Sequence, residues 1–265
     1  MLKYAMLITY DGSAYGGWQI QPNATSIQSL IEHAISTVCR QSISIVGSSR
    51  TDAKVHAIGQ VAHFYTDTPF SLQKLSHNIN GILPKDIRIT KIYPVPEDFH
   101  ARYSATGKIY HYHLHLDPIL DPFNYLYSWH VPYKLNLNLL REAIPFFLGT
   151  KDFTAFANES HKGAASKNGI RTLNRITIVE EKGGIRLEFE GSGFLYKMVR
   201  NITGTLIDIA RGKLSIDSLP FIFASQDRKQ AGMTAPAHGL FLMQVCYEEK
   251  SSLKEEKQDT PCSNK

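Results

Sequence analysis

The sequence contains little cysteine and no long apolar run. Cys39, Cys246 and Cys262 are the only cysteines among 265 residues, and they are odd in number and far apart. This usage argues against a disulfide framework and a CxxC metal site, and it fits a reducing cytoplasm. No apolar run approaches the roughly 20 residues that a membrane-spanning helix needs, and the N-terminal segment alternates like a strand rather than a signal peptide. We therefore expect a cytoplasmic protein without membrane association.

Acidic residues are fewer than basic ones. The chain has 24 Asp and Glu against 29 Lys and Arg, which gives a net charge of +5 and a pI near 9.0. A positive balance favours an acidic partner, of which nucleic acid is the commonest. The remaining composition is that of an ordinary globular protein, and the length allows one large domain or two small ones.

Strand-like and helix-like patterns alternate along the chain. Apolar alternation predicts strands over residues 3–10, 42–46, 61–67, 86–95, 103–116, 172–181, 185–191 and 239–247. Helical spacing predicts helices over residues 25–40, 71–80, 136–147, 194–211 and 215–224. Thr25 and Gln28 form a capping-box signature at the first helix, and Pro145 disturbs the last turn of the third.

Strands grouped in hairpins, with long helices between the groups, indicate an α+β protein. The pattern predicts two similar halves, each a largely antiparallel sheet with helices on one face. We place the halves at residues 1–103 and 104–248. The polar segment 249–265 has balanced charge and no period, which predicts a disordered tail.

The stretch GSSRTDAKVHA, residues 47–57, places charged side chains between two apolar runs. Most loop aspartates are turn or capping groups, and Arg50 and Asp52 pairing at the surface would contribute only a fraction of a kcal/mol. A loop between two core strands is held rigidly, however, which suits a catalytic group. An adjacent arginine keeps a carboxylate ionised, as a nucleophile requires. The residues by themselves leave both interpretations open.

This stretch resembles the active-site loop of the tRNA pseudouridine synthase A family, usually written GxGRTDAGVHA. Six further segments resemble that family in the same order, and together the matches span about residues 4–245: YDGSAYGGWQIQ, SIQSLIEHAI, NGILPKDIRI, FHARYSATGKIYHY, GFLYKMVRNITGTL and APAHGLFL. The resemblance implies the pseudouridine synthase fold with a central RNA-binding cleft. It also implies a homodimer that isomerises uridine at positions 38, 39 and 40 of the tRNA anticodon stem-loop, without cofactor or metal ion.

The resemblance assigns roles to four residues. Asp52 is the nucleophile, which attacks either C1′ of the ribose or C6 of the base, and Arg50 pairs with it. Tyr110 stacks on the uracil, and Leu240 lies against its other face. Extracting a base from a stem costs a few kcal/mol, and an aromatic platform returns roughly 1–3 kcal/mol. Pattern alone favours Tyr110 as a core residue, and a non-catalytic RNA-binding module on the same fold is the alternative function.

Two residues depart from the family's loop. Ser49 and Lys54 stand where the family commonly has glycine, and a side chain at a positive φ angle costs of order 1 kcal/mol. Lys54 is alternatively placed to reach a tRNA phosphate. Lys197 and Arg200 lie across the helix from its apolar stripe and are further candidates for binding phosphate, although Arg200 is also placed to support the active site from behind.

Two other groups of residues have simpler interpretations. His111, His113 and His115 alternate on one strand face about 6.6–6.8 Å apart, too far for all three to reach one ion at about 2.0–2.1 Å. We therefore predict a solvent- or RNA-facing strand. The glycine- and serine-rich segment with His161, Lys162, Lys167 and Arg171 is either a solvated loop or a phosphate clamp.

Overall fold

The structure is a computed structural model that describes residues 1–158 and 168–248. The predicted tail and His161, Lys162 and Lys167 lie outside the described residues. The strands are β1 Leu2–Tyr10, β2 Val46–Gly47, β3 His56–Thr66, β4 Ile87–Pro94, β5 Ala105–His115, β6 Trp129–His130, β7 Gly149–Asp152, β8 Ile170–Glu181, β9 Gly184–Gly191 and β10 Leu240–Tyr247. The α-helices are α1 Ile27–Cys39, α2 Leu72–Ile82, α3 Leu137–Ala143, α4 Met198–Ala210 and α5 Leu219–Ser225.

One mostly antiparallel sheet runs through both halves of the sequence. Its order is β4-β1-β3-β10-β5-β9-β8-β7, with β2 on β3 and β6 on β5. A short parallel pairing of β3 with β10, in which Phe241 lies opposite His56 and Leu242 opposite Ala57, joins the two halves. The predicted α+β class is confirmed, while the boundary at residue 103 stays a prediction.

The apolar periodicity of the sequence corresponds to the buried faces. In β9, Ile185, Leu187 and Phe189 are buried and alternate with half-buried residues, as a strand with one covered face requires. The α-helices are short, and the longest, α1 and α4, have 13 residues each. Within residues 1–158 and 168–248, no helix has the length and apolar character to cross a membrane.

The predicted strand over residues 42–46 is wrong for most of its length. The Ile43 N–H donates to the hydroxyl of Ser36 at 3.0 Å, and the Ile45 N–H donates to the carboxylate of Glu32 at 2.9 Å. Ser36 and Glu32 belong to α1, so helix side chains satisfy this backbone in place of a neighbouring strand. The apolar alternation therefore reflects burial of Ile43 and Ile45 without sheet pairing.

Two helix starts differ from the predictions. The N-cap of α1 is Ser26 rather than Thr25, and its hydroxyl accepts from the Ser29 N–H at 3.1 Å. Helix α4 begins at Met198 rather than at residue 194, because the preceding Lys197 has a φ of 60° in the left-handed region. Phe194 therefore lies outside the helix. The predicted effect of Pro145 is confirmed, since α3 ends before it and a 3-10 turn follows.

Two histidines of strand β5 lie close to glutamates of the neighbouring strands. His111 Nε2 lies 3.5 Å from Glu188 Oε1, and His113 Nδ1 lies 2.9 Å from Glu181 Oε2. Arg186 pairs with both glutamates. In the described part of the chain, no cluster of three or more His, Cys, Asp or Glu residues could hold a metal ion.

Candidate active site

The loop that carries Asp52 is held by buried polar side chains. The hydroxyl of Tyr10 lies 2.8 Å from that of Thr51, and the side-chain amide of Gln60 donates to the Ser49 carbonyl at 3.0 Å. Tyr10 is 2 % exposed and Gln60 is fully buried, so both anchors are fixed by the core. This anchoring gives the loop the rigidity that its position between apolar segments predicts.

A glycine allows the N-terminal segment to approach the same loop. Gly17 has a φ of +100°, and a Cβ atom there would lie 2.6 Å from the Thr51 carbonyl oxygen. The next residue, Trp18, donates its backbone N–H to that carbonyl at 3.1 Å. The sequence GGW therefore serves to dock this segment against the backbone of the Asp52 loop.

Asp52 forms an ion pair with Arg200. The Arg200 Nη1 donates to Asp52 Oδ2 at 2.7 Å, and the two side chains are only 13 % and 18 % exposed, respectively. Arg200 lies in the first turn of α4, and its Nε donates to the Ala235 carbonyl at 2.8 Å. This second bond fixes the guanidinium, so that it holds and orients the carboxylate.

The expected ion pair between Arg50 and Asp52 is wrong. Arg50 is exposed on the cleft wall and forms no ion pair with any described residue. Water solvates an exposed guanidinium well, so a surface pair would gain little. Arg200 is mostly buried, and a buried charge without a partner is strongly destabilising. Pairing Asp52 with Arg200 therefore stabilises the fold more than pairing it with Arg50 would. Arg200 thus contacts Asp52 from outside the cleft lining, and both roles suggested for it, support of the site and phosphate binding, stay predictions.

Tyr110 lies beside this carboxylate. Its hydroxyl is 3.3 Å from that of Ser49, and its ring packs edge-on against Phe194 with centroids 5.1 Å apart. Burial, opposed by the Ser49 hydrogen bond and assisted by the charge of Asp52, raises the pKa of Tyr110 to about 12. The phenol is therefore neutral at physiological pH. Phe194 was missed because the sequence pattern assigned it to the stripe of α4.

Leu240 lines the cleft, whereas Lys54 does not. Leu240 is buried at the start of β10, and the pairing of β10 with β3 brings it to the cleft near Asp52. Lys54 is exposed and has a φ of 65°, so the position where the family has glycine does require a left-handed backbone. Ser49 does not have a positive φ, and its departure from glycine carries no such strain.

A cleft of about 610 Å³ brings together residues from both halves of the chain. Asp52, Arg50, Tyr110 and Leu240 line it, whereas Arg200 reaches Asp52 from outside the lining and Lys54 lies beyond it. Asp52 is the only acidic residue in the described lining. Five basic residues share that lining: Arg50, Arg102, Lys108, Arg171 and Lys197.

This excess of positive charge affects the groups in the cleft. Burial, and then the nearby charges of Arg102 and Arg171, lower the pKa of Lys108. A concave surface with more basic than acidic residues attracts a polyanion. The predicted juxtaposition of Asp52, Tyr110 and Leu240 is thus present. Its electrostatic surroundings come from residues that are dispersed in the sequence.

Comparison with known proteins identifies the class to which this fold and site belong. The tRNA pseudouridine synthase family model matches residues 6–104 and 143–248, which is most of the chain. The chain therefore belongs to the tRNA pseudouridine synthase family.

Individual relatives narrow the likeness to one type within that family. The chain is 53 % identical over 249 residues to the tRNA pseudouridine synthase A 1 of Protochlamydia amoebophila, covering 94 % of this chain and 97 % of the relative. It is 40 % identical over 247 residues to the tRNA pseudouridine synthase A of Acetivibrio thermocellus, covering 93 % and 100 %. The tRNA pseudouridine synthase A 1 of Bacillus cereus is 43 % identical over 243 residues, covering 91 % and 96 %.

Proposed function

We propose that this protein isomerises uridine to pseudouridine in tRNA, at positions 38, 39 and 40 of the anticodon stem-loop. The observation that carries the proposal is the lone carboxylate of Asp52, held by Arg200 at 2.7 Å in a cleft otherwise lined by basic, polar and apolar residues. The names of the relatives supply the substrate class. The resemblance of the active-site loop supplies the three positions.

The isomerisation requires one nucleophile and neither hydrolysis nor redox chemistry. If Asp52 attacks C1′, an ester bond forms as the C1′–N1 bond breaks. The freed uracil turns, and its C5 attacks C1′ and displaces the carboxylate. The C5 proton then leaves and N1 gains a proton. Attack at C6 of the base is the other route, and in both the Arg200 guanidinium holds and orients the Asp52 carboxylate.

The target uracil has to leave its stack to reach Asp52. Tyr110 and Leu240 line the cleft beside that carboxylate, and we assign them to the two faces of the extracted base. Stacking on an aromatic ring is worth roughly 1–3 kcal/mol, which offsets an extrusion cost of a few kcal/mol.

Basic residues in and beside the cleft would hold the phosphate backbone. Arg50 and Lys54 are exposed close to Asp52 in the sequence, and Lys197 also lines the cleft. Phosphate contacts position an RNA without reading its bases, which suits an enzyme that acts at three adjacent positions.

The decisive experiment is tritium release from tRNA labelled with [5-³H]uridine, because bond formation at C5 must expel that hydrogen. We expect release that survives treatment with EDTA. Release that EDTA abolishes would instead indicate a metal-dependent reaction. Tight tRNA binding without release from any labelled uridine would identify a non-catalytic RNA-binding module.

We further propose a cytoplasmic homodimer that embraces one tRNA. The support is the resemblance to the family together with an apolar surface formed by Ile119, Phe123 and Tyr125, which are all exposed in the segment after β5. A dimer predicts sedimentation at twice the 29.8 kDa chain mass. A 29.8 kDa species at micromolar protein would contradict the proposal.

A further inference from the structure

The segment between the two halves presents an exposed aromatic side chain at the cleft. Tyr103 lines the cleft and is 77 % exposed. Its neighbour Arg102 is also exposed there, with the guanidinium 5.7 Å from the centre of the tyrosine ring. Most of the Tyr103 ring is therefore in contact with water, although it lies in the cleft in which we propose that the uracil binds.

The backbone that carries Tyr103 is held from within its own turn. The ring nitrogen Nδ1 of His100 accepts from the Arg102 N–H at 3.1 Å and from the Tyr103 N–H at 3.2 Å. The Ser104 N–H donates to the His100 carbonyl at 2.9 Å. The His100 ring also lies 4.3 Å from the tyrosine ring, centre to centre.

Buried residues of the sheet hold the same turn from below. His63 Nδ1 accepts from the Ala101 N–H at 3.1 Å, and the Tyr247 hydroxyl donates to the Ala101 carbonyl at 2.7 Å. The turn is thus fixed by β3 and β10, so the exposed ring is presented without further ordering of the backbone. Preorganisation of this kind favours binding, because the entropy has been lost on folding.

Lys108 lies in the same cleft and lacks a counterion. It stands two residues before Tyr110 on β5, so the two side chains project from the same side of the strand. The ammonium forms no hydrogen bond or ion pair with any residue in the described ranges, although the residue is half-buried. A carboxylate would be the usual partner of such a group, and an incoming phosphate can take that place.

We infer that Tyr103, Arg102 and Lys108 form a second nucleotide-binding site. The base of a nucleotide adjoining the target uridine stacks on Tyr103, and its phosphate pairs with Lys108 and Arg102. When the uridine is extracted from the stem, the adjoining base loses a stacking partner, and Tyr103 would replace that partner. This inference rests on the proposed function, since it requires an RNA strand in the cleft.

The test of the stacking contact uses an anticodon stem-loop RNA with 2-aminopurine next to the target uridine, on either side in turn. With one of the two RNAs, binding should change the 2-aminopurine fluorescence. Tyr103→Ala should remove that change, and Tyr103→Phe should restore it. In tritium release, the KM of Tyr103→Ala should rise on the order of 10-fold, more than any fall in kcat.

Tyr133 provides the matched control, because it is 56 % exposed, carries the Arg211 guanidinium 3.9 Å from its ring and does not line the cleft. Tyr133→Ala should behave as wild type. Equal fluorescence changes in wild type and Tyr103→Ala, for both RNAs, would overturn the inference. The inference would also be overturned if Tyr103→Ala changed only the sedimentation of the protein without RNA, because Tyr103 would then belong to a protein–protein interface.

The phosphate contact is tested by salt dependence. Lys108→Gln should reduce the magnitude of the slope of log affinity against log salt by about one. The control is Lys91→Gln, at an exposed position on edge strand β4, which should leave the slope unchanged. Equal slopes for Lys108→Gln and Lys91→Gln would overturn the role of Lys108. Failure of the proposed function is distinguishable, because wild type would then release no tritium from any labelled uridine.

Discussion

Asp52 forms an ion pair with Arg200, and five further basic residues line the cleft in which Asp52 lies. Arg200 donates at 2.7 Å and is itself fixed by the Ala235 carbonyl, so the carboxylate keeps one orientation. Arg50 remains exposed on the wall of the cleft, where a phosphate can reach it. The arginine beside Asp52 in sequence is thus exposed, and the arginine beside it in space is the one that pairs with it.

Asp52→Asn should abolish tritium release while tRNA binding persists or tightens slightly. The amide keeps the shape of the side chain but lacks the charge that attack on carbon requires, and it no longer repels phosphate. Because Arg200 loses its counterion in a mostly buried position, the free energy of unfolding should fall by about 1–2 kcal/mol. Urea denaturation measures the free energy of unfolding, and filter binding measures the affinity for tRNA. Near wild-type tritium release from a folded Asp52→Asn protein would refute the assignment.

Lys54→Gly should raise stability and weaken binding of tRNA. Glycine relieves the left-handed backbone at a φ of 65°, which should add up to about 1 kcal/mol to the free energy of unfolding. Removal of an exposed cation beside the site should lower affinity and its salt dependence. Lys54→Ala is the matched control, because it removes the charge and keeps the strained conformation. Equal stabilities of the two variants would contradict the strain argument.

At the scale of elements, two strands and one turn are coupled through His63. His63 is 2 % exposed and accepts a hydrogen bond from the Ala101 N–H. The hydroxyl of Tyr247, in β10, donates to the Ala101 carbonyl. Burial, and then the charges of Lys3 and His100, lower the pKa of His63 to about 4. The turn that carries Tyr103 therefore depends on a neutral histidine.

The lowered pKa of His63 predicts a loss of stability in mild acid. Above the ordinary pKa of 6.5 the histidine is neutral in both states. Between pH 6.5 and about 4 the unfolded chain binds a proton that the folded chain does not, so the free energy of unfolding falls by up to about 3 kcal/mol. His63→Gln does not titrate, so its stability should approach or exceed that of wild type as pH falls. Parallel stability curves for the two proteins across this range would contradict the prediction.

At the scale of the molecule, one sheet gives both halves a common frame. The parallel contact between β3 and β10 places the end of the Asp52 loop beside the start of β10, where Leu240 lies. Five basic residues and one acidic residue, Asp52, are in the described lining of the cleft. Positive charge is thus concentrated where the substrate is expected.

Affinity for tRNA should fall steeply as salt rises, because bound cations displace counterions from the phosphates. If each of the five basic residues of the cleft neutralises one phosphate, the slope of log affinity against log salt is about −4. Fluorescence anisotropy across a salt series gives this slope. An affinity that does not change with salt would show that the positive cleft is not the binding surface.

Local patterns in the sequence predicted the loop of Asp52 and Arg50, the burial of Tyr110 on β5 and most helices and strands. These features depend on local spacing: apolar residues alternate in β9, and Pro145 ends α3. The family resemblance then supplied the chemistry. Both kinds of information lie within short stretches of chain, where side-chain period and turn residues act directly.

Contacts between groups that are distant in the sequence could not be predicted from local patterns. Arg200 reaches Asp52 across 148 residues, and Phe194 reaches Tyr110 because Lys197 delays the start of α4. The segment 42–46 is mostly not a strand because side chains of α1 satisfy its backbone. Periodicity shows whether a residue is buried, but a buried polar group bonds to whatever partner the packing brings within reach. That partner is fixed only when distant elements assemble into one sheet.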